Sequence, residues 1–352
     1  MNWTAVFYAL SSAALFGLST PAAKVLLGSI HPFVLAGLLY CGAGIGVTAW
    51  RWLRPVLLRT SGASDAVLKR SELPWFAGAI VAGGVIGPVL LMTGLALADA
   101  SAASLLLTLE SAATALIAWF IFHESFDRRI ALGLLCLVAG AIILSWSGSP
   151  NVDNLIGPLA IIGACIAWGL DNNLTRKISL ANPLQIVALK GLVAGPVNLL
   201  LGLSAGGEIP GLLPVLSAAV VGFFCYGLSL ALFVVALRHL GAARTGAYFS
   251  TAPFVGATVA VVVLGEAVTV QLLIAGALMA FGVWLHMSER HQHEHLHSPI
   301  THSHSHVHDD THEHDHRPSD PPNEPHTHTH RHSRLKHSHP HTPDMHHQHR
   351  HS

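Results

Sequence analysis

Two charged side chains stand inside long apolar runs, where ionisable chemistry is unusual. Glu110 lies in the run LLLTLESAATALIAWF, and Lys190 lies in the run LQIVALKGLVAG. A charge at the centre of a bilayer costs about 2.5–3.5 kcal/mol on insertion scales, so each residue needs a partner or a function. Glu110 is a candidate for binding a proton or a substrate amine. The alternative is a buried ion pair or hydrogen bond that only fixes helix packing.

Lys190 allows two interpretations of its own. It lies about two helical turns into its apolar run, so its ammonium group either faces the interior of a helix bundle or extends to the membrane surface. If both charges face the interior, Glu110 and Lys190 are predicted to form an ion pair that opens and closes during a conformational cycle.

Three consecutive polar side chains, Asp171, Asn172 and Asn173, follow Trp168 near the end of another apolar run. Neighbouring positions on a helix point in different directions, so at least one of these side chains must point away from lipid. One interpretation is a polar wall or gate of a cavity to which Trp168 also contributes. The other is a helix end that is hydrogen-bonded to the basic residues that follow.

Aromatic side chains with polar tips occur in the later apolar runs, at Tyr226 and Tyr248. Such rings can line a cavity, because they combine an apolar body with a hydrogen-bonding group. Packing or lipid contact is the alternative for both. The cysteines are widely separated within apolar runs, so we expect neither a disulfide nor a cysteine metal site.

A segment of very different composition begins at residue 288, and it holds 22 of the 26 histidines, many at every second position. Neutral imidazole binds Zn, Ni, Co and Cu ions, and ligands at alternate positions of a flexible chain can surround one ion. We predict weak metal binding by this tail and no cofactor that the protein requires. The candidate ligands are His302, His304, His306, His308, His326, His328, His330 and His332.

The purpose of metal binding stays open between sensing, buffering or delivery of metal and a tail that is neutral or responds to pH. Histidine titrates at about pH 6.5, so acidification would give the tail a positive charge that attracts anionic lipid. Few apolar residues are available for burial and prolines are frequent, so residues 288–352 are predicted to be disordered.

The rest of the chain supplies the elements that must hold these residues. The sequence is 51% hydrophobic and only 11% charged, which excludes an ordinary soluble domain. A helix needs about 20 apolar residues to cross a hydrocarbon core of about 30 Å. An all-α protein with ten transmembrane helices is therefore predicted, with spans at residues 3–24, 32–52, 74–97, 100–121, 129–147, 155–175, 184–204, 212–237, 243–264 and 269–287.

The basic residues between the spans predict the orientation. With the N-terminus in the cytoplasm, they fall almost entirely on the cytoplasmic side, as the positive-inside rule requires. An even number of spans returns the C-terminus to that side, so a multi-pass protein of the cell (inner) membrane with both termini cytoplasmic is predicted. The cytoplasmic set is Arg51, Arg54, Arg59, Lys69, Arg70, Arg128, Arg129, Arg176, Lys177, Arg238 and Arg244, against Lys24 outside.

The two halves of the apolar region resemble each other at their starts. ALFGLSTPAAKVLL (residues 14–27) aligns with IAWGLDNNLTRKIS (residues 166–179), which places Phe16-Gly17 on Trp168-Gly169. The shared aromatic-Gly pair indicates that one unit of the sequence occurs twice.

The ends of the halves agree with this repeat. FHESFDRRIALG (residues 122–133) aligns with LGEAVTVQLLIA (residues 264–275), which places Glu124 on Glu266. A tandem unit of five spans enters the membrane from opposite sides, which gives an inverted repeat. The predicted domains are repeats at residues 1–147 and 154–287 and the tail at residues 288–352.

Two five-span repeats, an aromatic-Gly pair in the first helix of each and a Glu-led turn before the last helix of each resemble the EamA type of the drug/metabolite transporter superfamily. The resemblance covers residues 3–287. It implies a ten-helix secondary transporter, often an exporter of amino acids, metabolites or drugs, with a cavity between the repeats. It does not imply a particular substrate.

The leading hypothesis is thus a proton- or gradient-driven exporter of a small metabolite that works by alternating access. One alternative makes a divalent transition metal (Ni, Co or Zn) the cargo, with the tail as its collector, and a second is a non-transporting membrane sensor of metal or pH. The sequence shows no nucleophile motif, phosphate loop or compact catalytic cluster, so an enzyme is not expected.

Expected partners are the lipid bilayer, a small-molecule substrate, divalent metals at the tail and, as an open option, a second copy in a homodimer. Nucleic acid is not expected, because the net charge is zero with neutral histidine.

Overall fold

The computed structural model describes most of the apolar region and short parts of the tail. The described residues are 3–58, 70–122, 128–146, 153–176, 178, 182–287, 291–296, 300–306, 326–332 and 336–341.

The described apolar region is helical apart from short connections between helices, and two of its helices contain a π-helical segment. A short 3₁₀ turn, Arg70–Glu72, precedes α4. The π segments are Ile80–Ile86, between α4 and α5, and Gly222–Leu228, between α11 and α12. The α-helices are α1 Trp3–Gly17, α2 Ser19–Leu27, α3 Pro32–Leu58, α4 Leu73–Ala79, α5 Gly87–Leu97, α6 Ala100–Leu106, α7 Leu109–Phe122, α8 Arg128–Ser145, α9 Asp153–Arg176, α10 Pro183–Ser204, α11 Leu212–Val221, α12 Ser229–Phe249, α13 Ala252–Leu264 and α14 Val270–Met287.

Eight helical stretches of the described chain are long and apolar enough to cross a membrane, and α13 and α14 add two shorter apolar helices. The protein is therefore a multi-pass membrane protein, as its composition predicts. One boundary differs from the prediction: α12 continues through residues 238–242, where a connection between spans was expected, and ends at Phe249. The eight stretches are Trp3–Leu27, Pro32–Leu53, Arg70–Leu97, Ala100–Ile121, Arg128–Ser145, Leu155–Thr175, Leu184–Ser204 and Leu212–Ala236.

Three predicted spans are interrupted rather than continuous. The helix axis breaks at Leu18, between α1 and α2, and at Leu107-Thr108, between α6 and α7. A third break, at Ser250-Thr251, separates α12 from α13, and Pro253 occupies the first turn of α13. Interrupted helices expose backbone groups inside the membrane, which is tolerated where those groups are packed in protein or line a cavity.

Gly17 and Gly169 are two of the glycines at which helices of the two halves approach closely. A Cβ on Gly17 would lie 2.5 Å from the carbonyl oxygen of Ala252, in α13. A Cβ on Gly169 would lie 2.9 Å from the backbone nitrogen of Thr114, in α7. In a membrane, where lipid removes most of the hydrophobic drive, such close contacts between small residues hold helices together. The first helix of each half thus packs on the fourth helix of the other.

The tail contains strands where it is described, which contradicts the predicted disorder for those segments. The strands are β1 His291–Leu296, β2 Ile300–His306, β3 His326–His332 and β4 Lys336–His341. They pair antiparallel, β1 with β4 and β2 with β3. Histidine at every second position, with threonine between histidines in β3, is compatible with an extended chain, because β-branched threonine favours strands.

Candidate functional site

A buried ion pair joins α9 to α10 on the inner side of the bundle. The ammonium nitrogen of Lys190 lies 2.7 Å from both carboxylate oxygens of Asp171, and the two side chains are 15% and 10% exposed. The hydroxyl of Thr175 donates to the same carboxylate at 3.0 Å. In this structure Lys190 pairs with Asp171, and not with Glu110, the partner that was considered from the sequence.

The Asp171–Lys190 pair lies against the first π segment. A π turn shifts the backbone register and frees carbonyl groups from the normal helical ladder. The Gly83 carbonyl accepts from the Tyr40 hydroxyl at 2.7 Å and from the indole nitrogen of Trp168 at 2.9 Å. Asp171 occupies the space where a Cβ on Gly83 would lie. The π segment, Tyr40 and Trp168 therefore position α9 and its carboxylate.

The neighbouring carbonyl in the same π segment has its own donor. The side-chain amide of Asn198, in α10, donates to the Gly84 carbonyl at 2.8 Å. Asn198 is fully buried, and its side-chain oxygen has no hydrogen-bond partner among the described residues. A hydrogen bond to a carbonyl freed by the π turn offsets part of the cost of burying this amide.

Glu110 lies in the first turn of α7, directly after the break at Leu107-Thr108. The amide of Asn172 donates to its carboxylate at 2.9 Å and to the Thr114 hydroxyl at 3.2 Å. The amide of Asn173 donates to the Thr114 carbonyl at 3.1 Å. Within the described part of the chain, no lysine, arginine or histidine lies within ion-pair distance of Glu110.

The polar surface around Glu110 faces the interior of the bundle. Glu110 lies within electrostatic range of Tyr40, Asp171 and Lys190, which belong to three other helices. Ser111 and Asn172 beside it are nevertheless exposed. The opposite face of α7 is apolar and lines a separate groove of about 530 Å³ with α8 and α9. An exposed polar surface directed inward within a membrane span is consistent with a wall of a water-filled cavity.

A row of aromatic rings continues from this surface into the other half of the chain. The centroid distances are 6.1 Å from Tyr40 to Tyr226, 5.9 Å from Tyr226 to Phe16 and 5.2 Å from Phe16 to Phe249. Phe233 closes the row at 4.9 Å from Phe249. All five rings are partly exposed. We call these five residues the aromatic row.

The predicted site residues therefore separate into three groups. Glu110 and Asn172 form one polar contact, with Asn173 beside it; Asp171, Lys190 and Trp168 meet at the first π segment; and Tyr226 belongs to the aromatic row. Tyr248 does not join them: Phe249 occupies the place in the row, and the Tyr248 carbonyl accepts the hydroxyl of Thr251 at 2.6 Å.

Sequence reasoning missed Tyr40, Phe16 and Asn198. Tyr40 and Asn198 could have been identified from the sequence as candidate site residues, because each places a hydrogen-bonding group near the middle of an apolar run. Phe16 belongs to the aromatic-Gly pair, but this pair was taken only as evidence for the repeat and not as evidence for a site. None of the described side chains forms a group of three His, Cys, Asp or Glu that could hold a metal ion, and His308 lies outside the described residues.

Opposite charges hold the turn between α5 and α6 at the far end of the bundle. The ammonium of Lys24 donates to the carbonyls of Leu95 and Ala98 at 2.8 and 2.6 Å. The Glu266 carboxylate accepts from the backbone nitrogens of Ala100 and Ser101 at 2.7 and 2.8 Å. Each charge matches the helix end that it contacts. Glu266, in the second half of the chain, thus caps α6, a helix of the first half.

The chain matches known proteins over nearly all of its helical region. The model of the EamA-like transporter family matches it twice, at residues 3–146 and 155–288. An uncharacterized transporter from Methanothermobacter thermautotrophicus is 30% identical over 289 residues, covering 78% of this chain and 84% of that protein. A protein of known crystal structure has the same fold, with a TM-score of 0.59 at 22% identity, over 80% of this chain and 95% of that one. The chain belongs to the EamA-like transporter family, within the drug/metabolite transporter superfamily.

Proposed function

We propose that the protein is a ten-span secondary transporter that exports a small metabolite by alternating access, with Glu110 as the group that binds a proton or the substrate. The observation that carries this proposal is a carboxylate without a cationic partner among the described residues, at a helix break, on an exposed polar surface that faces inward. A charged group within a membrane span is costly, so its presence there favours a functional role such as ligand exchange.

The ten-span count with two inverted repeats is part of the proposal. Its support is the double family match and the reciprocal packing of the two halves. Gly17 contacts α13, Gly169 contacts α7, and both helices begin after a break. A Cβ on Gly140 would meet Met279, and a Cβ on Gly282 would meet Leu137, which repeats the same reciprocity between α8 and α14. The shorter helices α13 and α14 belong to the ninth and tenth spans in this arrangement.

The orientation follows from the basic residues in the connections. Their distribution supports an N-terminus and a C-terminal tail that both lie in the cytoplasm of a cell whose inner membrane holds the protein. Lys24 and Glu266 are then at the outer surface, and the Asp171–Lys190 pair lies in the half of the membrane closer to the cytoplasm.

The test is substrate-driven proton movement in liposomes that contain purified protein and a pH-sensitive dye. Phenylalanine, leucine, putrescine and a cationic dye are offered singly, and at least one is expected to drive proton flux across the membrane. Glu110→Gln is expected to lower that flux at least tenfold, because the amide does not titrate, and Glu208→Gln is the matched control in an exposed loop. An active Glu110→Gln protein would overturn the role of Glu110.

For the tail we propose a metal-binding accessory role. The pairing of β2 with β3 supports it, because Cα positions of His302, His304 and His306 are register partners of His330, His328 and His326. A chain that ends at Glu289 is expected to keep transport but to lose most Ni²⁺ and Zn²⁺ binding in equilibrium dialysis. Equal metal binding by both chains would contradict the role of the tail.

A further inference from the structure

The charges inside the bundle do not balance at the proposed site. Lys190 is held by both oxygens of Asp171, and Lys24 is held by two backbone carbonyls at the far end. Glu110 is therefore the described carboxylate inside the spans whose contacts are all uncharged. A site with one surplus negative charge at low dielectric favours a ligand with one positive charge.

The aromatic row begins within electrostatic range of this carboxylate and passes the helix break that precedes it. Phe16 and Leu107 line the same small pocket at the breaks of α1–α2 and α6–α7, and the Leu107 carbonyl accepts the backbone nitrogen of Glu110 at 3.1 Å. At the other end, Tyr40 lies within electrostatic range of Glu110 and starts the row. The row thus approaches the segment around Glu110 at Phe16 and at Tyr40, and it passes from the first half of the chain to the second.

Rings in such a row offer two kinds of contact to a ligand. Their faces attract a cation within about 6 Å of the ring centroid. Their apolar surface buries a flat apolar body. Neighbouring rings are inclined to one another by 42°, 73°, 45° and 68°. The row therefore presents both ring edges and ring faces to a ligand. In one continuous stack, the faces would instead be covered by neighbouring rings.

From this arrangement we infer that the transported compound is an organic amine with an apolar, preferably aromatic, body. Its ammonium group binds Glu110 and the hydroxyl and carbonyl oxygens near Thr114, and its body lies against the aromatic row. The inference rests on the proposed function, since it names the substrate class of the same site.

The same contacts disfavour an anion or an amino acid. A substrate carboxylate needs a cation or free backbone donors, and both described lysines of the membrane interior are occupied by other partners. The amide of Asn172 is also committed, to Glu110 and Thr114. A compound with a carboxylate next to its ammonium group would place like charges beside Glu110, and such a contact is repulsive.

Binding of three compounds that share one ring and differ in charge tests the inference. Calorimetry on the purified full chain in detergent would compare phenethylamine, phenylalanine and 3-phenylpropionate. Phenethylamine is expected to bind at least tenfold more tightly than either of the others. Phenylalanine or 3-phenylpropionate that binds as tightly, or absence of binding by all three, would overturn the amine assignment.

Variants locate the binding site. Glu110→Gln is expected to weaken phenethylamine binding at least tenfold, Glu110→Asp to restore part of it, and Glu208→Gln to leave it unchanged. Phe16→Leu, which keeps an apolar side chain of similar size, is expected to weaken binding severalfold because the ring face is lost. Thermal unfolding of each variant separates lost binding from lost folding. Unchanged affinity in a folded Glu110→Gln protein would contradict the inference.

Failure of the inference and failure of the proposed function give different results. If a compound other than an amine drives proton flux that depends on Glu110, the transporter proposal stands and the substrate class is wrong. If phenethylamine binds at Glu110 but no compound crosses the liposome membrane, the binding site stands and the transport proposal is wrong.

Discussion

At the scale of single residues, the choice of partner for Lys190 shapes the site. Asp171 pairs with it, so the Glu110 carboxylate accepts from the amide of Asn172 and not from the ammonium of Lys190. The sequence placed all three charges in apolar runs, and these runs form helices long enough to cross a membrane. It could not predict their pairing, because pairing depends on which helices are neighbours, and α10 lies against the first π segment beside α9.

Replacing either member of the Asp171–Lys190 pair should destabilise the protein. Asp171→Asn leaves a buried ammonium group without its counter-charge, and Lys190→Gln leaves a buried carboxylate. Each is expected to cost about 3 kcal/mol, while the double variant should lose less than the sum. Thermal and denaturant unfolding in detergent measure this, and additive losses would show that the pair is not energetically coupled.

At the scale of elements, the long apolar runs predict where helices cross the membrane, but not where those helices are irregular. The first π segment, IVAGGVI, has the composition of any transmembrane helix. Its irregular backbone is explained only by the tertiary contacts: Tyr40, Trp168 and Asn198, on other helices, donate hydrogen bonds to its carbonyl groups. The breaks at Leu107-Thr108 and Ser250-Thr251 were missed for the same reason, since tertiary contacts, not local propensity, compensate them.

The reciprocal glycines give a test of the packing between halves. Gly17→Ala and Gly169→Ala each place a methyl group against the backbone of the facing helix, and overpacking of this kind costs about 1–3 kcal/mol. Both variants should therefore unfold at lower temperature. Gly246→Ala, in α12, meets nothing within 4 Å and serves as the control. Gly17 and Gly169 variants as stable as this control would contradict the close approach.

At the scale of the whole molecule, the two halves are interdependent. The aromatic row has Phe16 and Tyr40 from one half and Tyr226, Phe233 and Phe249 from the other. The resemblance to the EamA type implied that a cavity would lie between the halves. It did not predict that Glu266 of the second half caps α6 of the first, because such a cap depends on contacts between segments that are distant in the sequence.

Glu266 carries one such contact between halves. Glu266→Gln removes the charge that accepts the first backbone donors of α6, and a lost cap of this kind costs about 1 kcal/mol. Hydrogen exchange at Ala100 and Ser101 should become faster, with a small drop in unfolding temperature. Glu208→Gln should change neither quantity. Equal exchange at both amides in the Glu266 variant and the parent protein would show that the cap adds no protection.

The position of this cap also constrains how the protein can be made. The backbone donor of Ala100 and the carboxylate that accepts it are 166 residues apart in the chain. When the ribosome has delivered α6 to the membrane, translation has not yet reached Glu266. The first half must therefore enter the bilayer with the first backbone donors of α6 uncapped. Lipid headgroups, water or an insertion factor must accept these hydrogen bonds until the turn that contains Glu266 is synthesised.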